Sequence, residues 1–181
     1  GAVSQRGGDV QTYEVDDLAR LATELLEAGR RDAAERFLPD AVFEEKVANL
    51  SDAQRRELRE LVVRLRAEES HAEWRGGDQV GTTAEGKPIL QMPYPVYSEA
   101  TSRLMELAYE CELVVPFDWG SWMSASGVGA AGLPERPEVA DAVRFVTAIV
   151  RGERFFFCYG YAAHREGSLL RAIESIAGAQ R

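Results

Sequence analysis

The stretch Pro93–Trp122, PYPVYSEATSRLMELAYECELVVPFDWGSW, decides how this chain is read. It holds the clearest helix, from Ser98 to about Glu112. Leu104, Leu107, Ala108 and Cys111 recur there at spacings of three and four, which places them on one helical face. The Ser98 hydroxyl is placed to accept a backbone N–H of the first turn, and Glu99 sits where the helix dipole favours an anion. Upstream, Tyr94 precedes Pro95 and is pushed out of the α region, so the approach to the helix is extended. Downstream, Leu113, Val114 and Val115 read as a strand or a deeply buried segment. Phe117-Asp118-Trp119-Gly120 then breaks the pattern. Tyr94, Tyr97, Trp119 and Trp122 flank the helix on both sides.

Toward the N-terminus the pattern is helical. Leu18, Leu21, Leu25 and Leu26 form the apolar stripe of a helix over 15–28, which Gly29 is expected to stop. A short helix over 30–38 follows, with Ala33, Ala34, Phe37 and Leu38 inward. Pro39 separates it from a segment over 41–49 with Val42, Phe43 and Val47. Ser51 and Gln54 have capping-box spacing and open the longest helix, about 52–70, with Leu58, Leu61, Val62 and Leu65 inward. Five glycines and prolines between Ala72 and Gln91 (Gly76, Gly77, Gly81, Gly86, Pro88) point to one or two short strands around a turn, or to a long loop.

Toward the C-terminus, Gly127-Val128-Gly129-Ala130-Ala131-Gly132 is a literal G-x-G-x-x-G. It is not read as a dinucleotide motif, because no buried strand precedes it and Pro134 follows before a helix can run. A small-residue loop over 124–133, able to serve as a lid, is the expectation. Pro137 opens a helix to about Arg151, with Val139, Val143, Val146 and Val150 inward. The aromatic run Arg154–Tyr161 is a buried strand or a helical turn, which periodicity does not separate. A helix over 168–177 closes the chain with Leu169, Leu170, Ile173 and Ile176.

The expected fold is therefore α+β and predominantly α-helical. A helical N-terminal half packs on a helical C-terminal module with a minor hairpin or small sheet. The expected divisions are a tail over 1–12, a helical region over 13–70 and a module over 71–181, or one continuous domain over 13–181. At 181 residues with 45% hydrophobic content the chain can build a real core. No apolar run approaches the roughly 20 residues of a membrane span, and no apolar stretch follows Arg6 as a secretory leader requires. A soluble, cytoplasmic protein without a membrane partner is expected.

The net charge of −9 argues against nucleic acid, which needs basic residues gathered on one face. Charge is uneven: Arg103 is the one basic residue between Pro93 and Glu135, whereas Arg136–Arg181 carries a small basic excess. Cys111 and Cys158 sit among apolar residues and read as reduced core thiols, with a single disulfide left open. With His71 and His164 they give no zinc spacing, and no metal or cofactor is expected.

Six residues stand out as a candidate ligand site: Tyr94, Tyr97, Asp118, Trp119, Trp122 and Arg154. Asp118 lies between two large aromatics; burial there would raise its pKa and suit acid–base work. Alternatively it caps the turn that follows. Arg154 either clamps an anion with its planar fork or pairs with Asp118 under the aromatics, the reading favoured here. The four aromatics either line a pocket for a planar ligand or pack as ordinary core and rim. His164 has no accompanying nucleophile and reads as a surface residue. Cys158, surrounded by aromatics, lacks the electropositive setting of a reactive thiol.

Tyr94-Pro95-Val96-Tyr97-Ser98, Phe117-Asp118-Trp119, Arg151-Gly152-Glu153-Arg154-Phe155 and Gly167-Ser168-Leu169 together resemble an uncharacterised bacterial domain family of unknown function. The resemblance runs from about Ile89 to Ile176. It implies no catalytic residue and does not reach the helical first half. Two function classes remain. One is a non-enzymatic binding or protein-interaction module; the other is an enzyme or small-ligand binder with a pocket near Asp118, Trp119, Tyr94 and Arg154.

Overall fold

The structure, a computed structural model, describes residues 15–154, 162–163 and 167–179, with the backbone alone at 15–17 and 34. The chain is predominantly helical α+β. Its helices are α1 (Val15–Phe37), α2 (Asp40–Ala48), α3 (Asp52–Ala67), α4 (Glu99–Glu110), α5 (Trp119–Ala125), α6 (Val128–Ala131), α7 (Val139–Glu153) and α8 (Ser168–Gly178). Four short strands, β1 (Ala72–Arg75), β2 (Gln79–Thr82), β3 (Pro88–Leu90) and β4 (Tyr94–Tyr97), lie between α3 and α4. The chain divides into two compact units, Gly1–Arg36 and Phe37–Arg181.

In the first unit the expected stop at Gly29 is not used. Helix α1 runs through it, and the two short helices read from the sequence are one. A single glycine costs a helix only about 1 kcal/mol, too little to end it among good helix formers. Leu18, Leu21, Leu25 and Leu26 are all exposed.

In the second unit α7 is the central element, packed on α8, α2 and α5, while α3 packs on α8 and on α4. The stripes read from spacing are the core: Leu58, Leu61 and Leu65 of α3, Leu104 and Leu107 of α4, Val143 and Val146 of α7, and Ile173 and Ile176 of α8 are buried. Leu113 and Val115 are buried but form no strand. Their backbone is held by Thr147 of α7, whose hydroxyl donates to Leu113 O at 3.0 Å and accepts from Val115 N at 3.1 Å.

Helix ends follow local chemistry. The capping box at Ser51 and Gln54 is complete, with both bonds formed. Helix α4 ends in a Schellman motif: Leu113 N donates to Ala108 O at 2.9 Å and Glu112 N to Tyr109 O at 3.0 Å. Glu112 takes the left-handed position that usually goes to glycine, with φ 55°.

The strands form one irregular two-stranded arm. β1 pairs antiparallel with β4 and β2 with β3. Gly77 N to Gln91 O and Gln91 N to Asp78 O, both 2.8 Å, carry the ladder across the break between the pairs. Gly76 is required there: its φ is +88°, and a Cβ would stand 2.7 Å from Met92 O. The sequence placed strands within 72–92; β4 lies beyond that range because the arm must return to its root, where Ser98 N donates to His71 O at 2.9 Å.

The segment 124–133 is not a free lid. It contains α6, and Val128 and Leu133 are buried in the core. Leu133 N donates to the buried Ser168 hydroxyl at 3.0 Å.

Candidate functional site

The sequence-selected residues lie on three parts of the fold: Tyr94 and Tyr97 on β4, Asp118, Trp119 and Trp122 at α5, and Arg154 at the end of α7. Trp122 is buried, edge-on to Phe117 at 6.1 Å between ring centres, and Phe117 in turn meets Phe43 at 5.4 Å. It is core. Trp119 is half-buried at the start of α5. Tyr94 and Tyr97 are three residues apart on β4, so the pleat sends them to opposite faces of the arm.

Asp118 and Arg154 are both exposed, and no ion pair joins them. The expected buried acid–guanidinium tie is thus absent. Asp118 instead caps α5: its Oδ1 accepts from Ser121 N at 3.1 Å. The local alternative prevailed because a carboxylate one residue before a helix finds free N–H donors without any tertiary partner. Loss of this cap in Asp118→Ala should lower stability by about 1 kcal/mol, read as a shift of the urea midpoint with an unchanged slope.

A groove forms elsewhere, between α4 and the end of α7. Met105 and Tyr109, one helical turn apart on α4, line one side; Val150, Glu153 and Arg154 line the other. Its volume is about 410 Å³. The Tyr97 hydroxyl donates to Glu153 Oε1 at 2.7 Å, which fixes that carboxylate at the groove edge and ties the root of the arm to α7. Of the six selected residues, Arg154 lines the groove and Tyr97 reaches it through Glu153. Met105 and Tyr109 were missed, because on α4 they flank the buried stripe and read as ordinary surface. Val150 was read only as an inward core residue. The signal was available: two large apolar residues four apart, outside the core face, on a helix whose core face is already complete.

The α4 side is acidic in character. Arg103 is held by Glu57 at 2.6 Å and by both oxygens of Glu110 at 2.8 and 3.0 Å. Its guanidinium keeps the Glu110 carboxyl below the usual range. Cys111 is a buried free thiol, and burial pushes its pKa up to about 11, so it is not a nucleophile in waiting. Cys158, His164 and the run 155–161 lie outside the described residues.

A second polar cluster stands where α3 meets α4. Glu68 Oε2 accepts from the Ser98 hydroxyl at 2.9 Å and lies 3.0 Å from His71 Nδ1. Ser98 also caps α4 by accepting from Thr101 N at 3.2 Å. The carboxylate, not the imidazole, stands next to the serine, so the order suits a joint between helices and the arm rather than activation of a nucleophile.

Residues 50–181, nearly three quarters of the chain, match a family of unknown function, DUF6508. The chain belongs to this family. The match takes in α3, the arm, the groove and α8; α1 and α2 precede it. No curated protein and no solved structure matches the chain. Among the described residues, no cluster of three His, Cys, Asp or Glu is placed to hold a metal ion, and no helix is long and apolar enough to cross a membrane.

Proposed function

We propose that this DUF6508 protein is a binding module that takes a segment of a partner protein in the groove between α4 and α7. The observation that carries the reading is the groove itself: apolar walls from Met105, Tyr109 and Val150, with Glu153 and Arg154 at its edge. Such a groove suits an apolar side chain presented from a peptide, and the exposed Tyr109 ring offers a rigid contact surface. The α4 wall favours a basic neighbour in that peptide, because Arg103, its one basic residue, is already engaged by Glu57 and Glu110. The other selected residues support binding less directly: Asp118 is engaged at a helix cap and Trp122 in the core.

Panning a displayed random-peptide library on the pure protein tests the reading. Enriched peptides should carry an aromatic or aliphatic residue flanked by Lys or Arg, and should perturb the methyl signals of Met105 and Val150. Tyr109→Ala should weaken them about tenfold with the melting temperature unchanged. Peptides that bind equally well to Tyr109→Ala would refute the groove.

A small-ligand site is the second reading, favoured by the exposed Arg154 beside the Tyr97–Glu153 pair. It expects small anions in a thermal-shift screen to stabilise the protein, and Arg154→Gln to abolish the shift.

A further inference from the structure

Helix α3 carries a second surface, of opposite electrical character to the groove. Its 16 residues hold five arginines against three acids, in a chain whose net charge is −9. Part of that charge is engaged within the fold. Arg55 is buried and donates to Val47 O at 2.6 Å and Ala179 O at 2.7 Å, Arg66 pairs with Glu174 of α8, and Glu57 holds Arg103 of α4. Arg56, Arg59 and Arg64 are exposed and make no ion pair or side-chain hydrogen bond among the described residues. Glu60 lies one turn from both Arg56 and Arg64 and pairs with neither. The local pairs that usually neutralise a solvated helix face are therefore not made. Arg56, Arg59, Val63 and Arg66 recur at spacings of three, four and three, which places them on one face. Val63 stands in the middle of that row and is 68% exposed.

We infer that this face of α3 docks an acidic helical segment of a partner protein, with carboxylates one turn apart beside an apolar residue. Charge complementarity selects this occupant. Each guanidinium presents a planar fork of donors that a carboxylate fills with two parallel bonds. A helix laid along α3 repeats the spacing of α3 itself. Carboxylates three or four positions apart then meet Arg56 and Arg59, while an apolar neighbour covers Val63. Nucleic acid fits less well, because a phosphate backbone needs a broad basic surface and Glu60 interrupts this one. A lipid surface also fits less well, since Val63 is the one large apolar residue that α3 exposes. The groove between α4 and α7 favours a basic peptide and this face an acidic one, so ligand charge separates the two sites. α3 lies within the family region, which makes this surface part of the domain.

Fluorescence anisotropy on the full chain, with a labelled helix-stabilised peptide, is the test. The probe repeats Glu at spacings of three and four with Leu beside them. A peptide of the same composition in scrambled order and a labelled DNA duplex are the controls. The patterned peptide should bind about tenfold more tightly than the scrambled one. Arg56→Glu with Arg59→Glu, both at exposed positions, should weaken it at least about tenfold, more at low salt than at high, with the melting temperature unchanged. Arg56→Lys with Arg59→Lys should restore only part of the binding, because a point charge does not form the fork. Glu60→Gln removes the carboxylate that competes with the ligand and should tighten binding about threefold. Tyr109→Ala should change nothing. Absence of binding at low salt overturns the inference, as does equal binding of the scrambled peptide or binding that survives the charge reversal. So does tighter binding of the duplex through the same arginines, or a loss of peptide binding in Tyr109→Ala, which would place the peptide in the groove.

Discussion

Replacing Arg144 by Met should destabilise the protein by about 3 kcal/mol, a large share of the 5–15 kcal/mol available to a domain. Arg144 is buried within α7, and its guanidinium serves five groups at once. It donates to Phe37 O at 3.4 Å and Leu38 O at 2.8 Å, pairs with Asp40 at 2.7 Å and Asp141 at 2.9 Å, and stacks 4.4 Å from the Phe43 ring centre. The two carbonyls belong to a tight turn: Leu38 has φ 62° and Pro39 follows, so no helical N–H reaches them. Met keeps the aliphatic stem and removes only the donors, leaving both carbonyls without them. Lys should rescue little, because a point charge cannot span the fork. Asp40→Asn should cost under about 1 kcal/mol, since that carboxylate is 68% exposed and water replaces the pair. Urea denaturation of the three variants measures this. Equal losses for Arg144→Met and Asp40→Asn would show that the ion pair, and not the backbone clamp, holds the turn.

Thr147→Val should cost about 2–6 kcal/mol despite its near-identical shape. The hydroxyl is the partner of both Val115 N and Leu113 O, and the site is fully buried, so Val strands one donor and one acceptor at about 1–3 kcal/mol each. Thr147→Ser keeps both bonds and loses a methyl group, about 1 kcal/mol. The ordering Ser better than Val, read from chemical denaturation, is the decisive result. The reverse order would mean that packing of the methyl group, rather than the hydrogen bonds, positions the 113–115 segment.

Tyr109→Ala probes function instead, because it lies on an exposed helix face where folding is insensitive. That separation is physical. In this protein the buried polar side chains Arg144 and Thr147 hold backbone turns in place, while the groove is a surface feature. A variant of the second kind can lose binding with its fold intact, and a variant of the first kind cannot.

The sequence by itself determined α3, α4, α7 and α8 and their inward faces. Spacing of three and four is a local property, and the buried residues of α3, α4, α7 and α8 follow from it directly. The caps at Ser51, Ser98 and Asp118 were equally local, since a side chain and an N–H three residues on need no other part of the chain. What composition alone misjudged was proximity. Asp118 and Arg154 looked like partners because each sits beside aromatics, yet spacing carries no information about which distant segments meet. Gly29 looked like a helix end because a positive-φ stop is available to glycine, but nothing obliges glycine to use it. Tertiary structure alone decided that α4 and the end of α7 meet to form a groove and that Tyr97 reaches Glu153 across 56 positions. The reason is common to both. A helix face is fixed by the geometry of one turn, whereas the meeting of two faces is fixed by how every other face in the molecule has been covered.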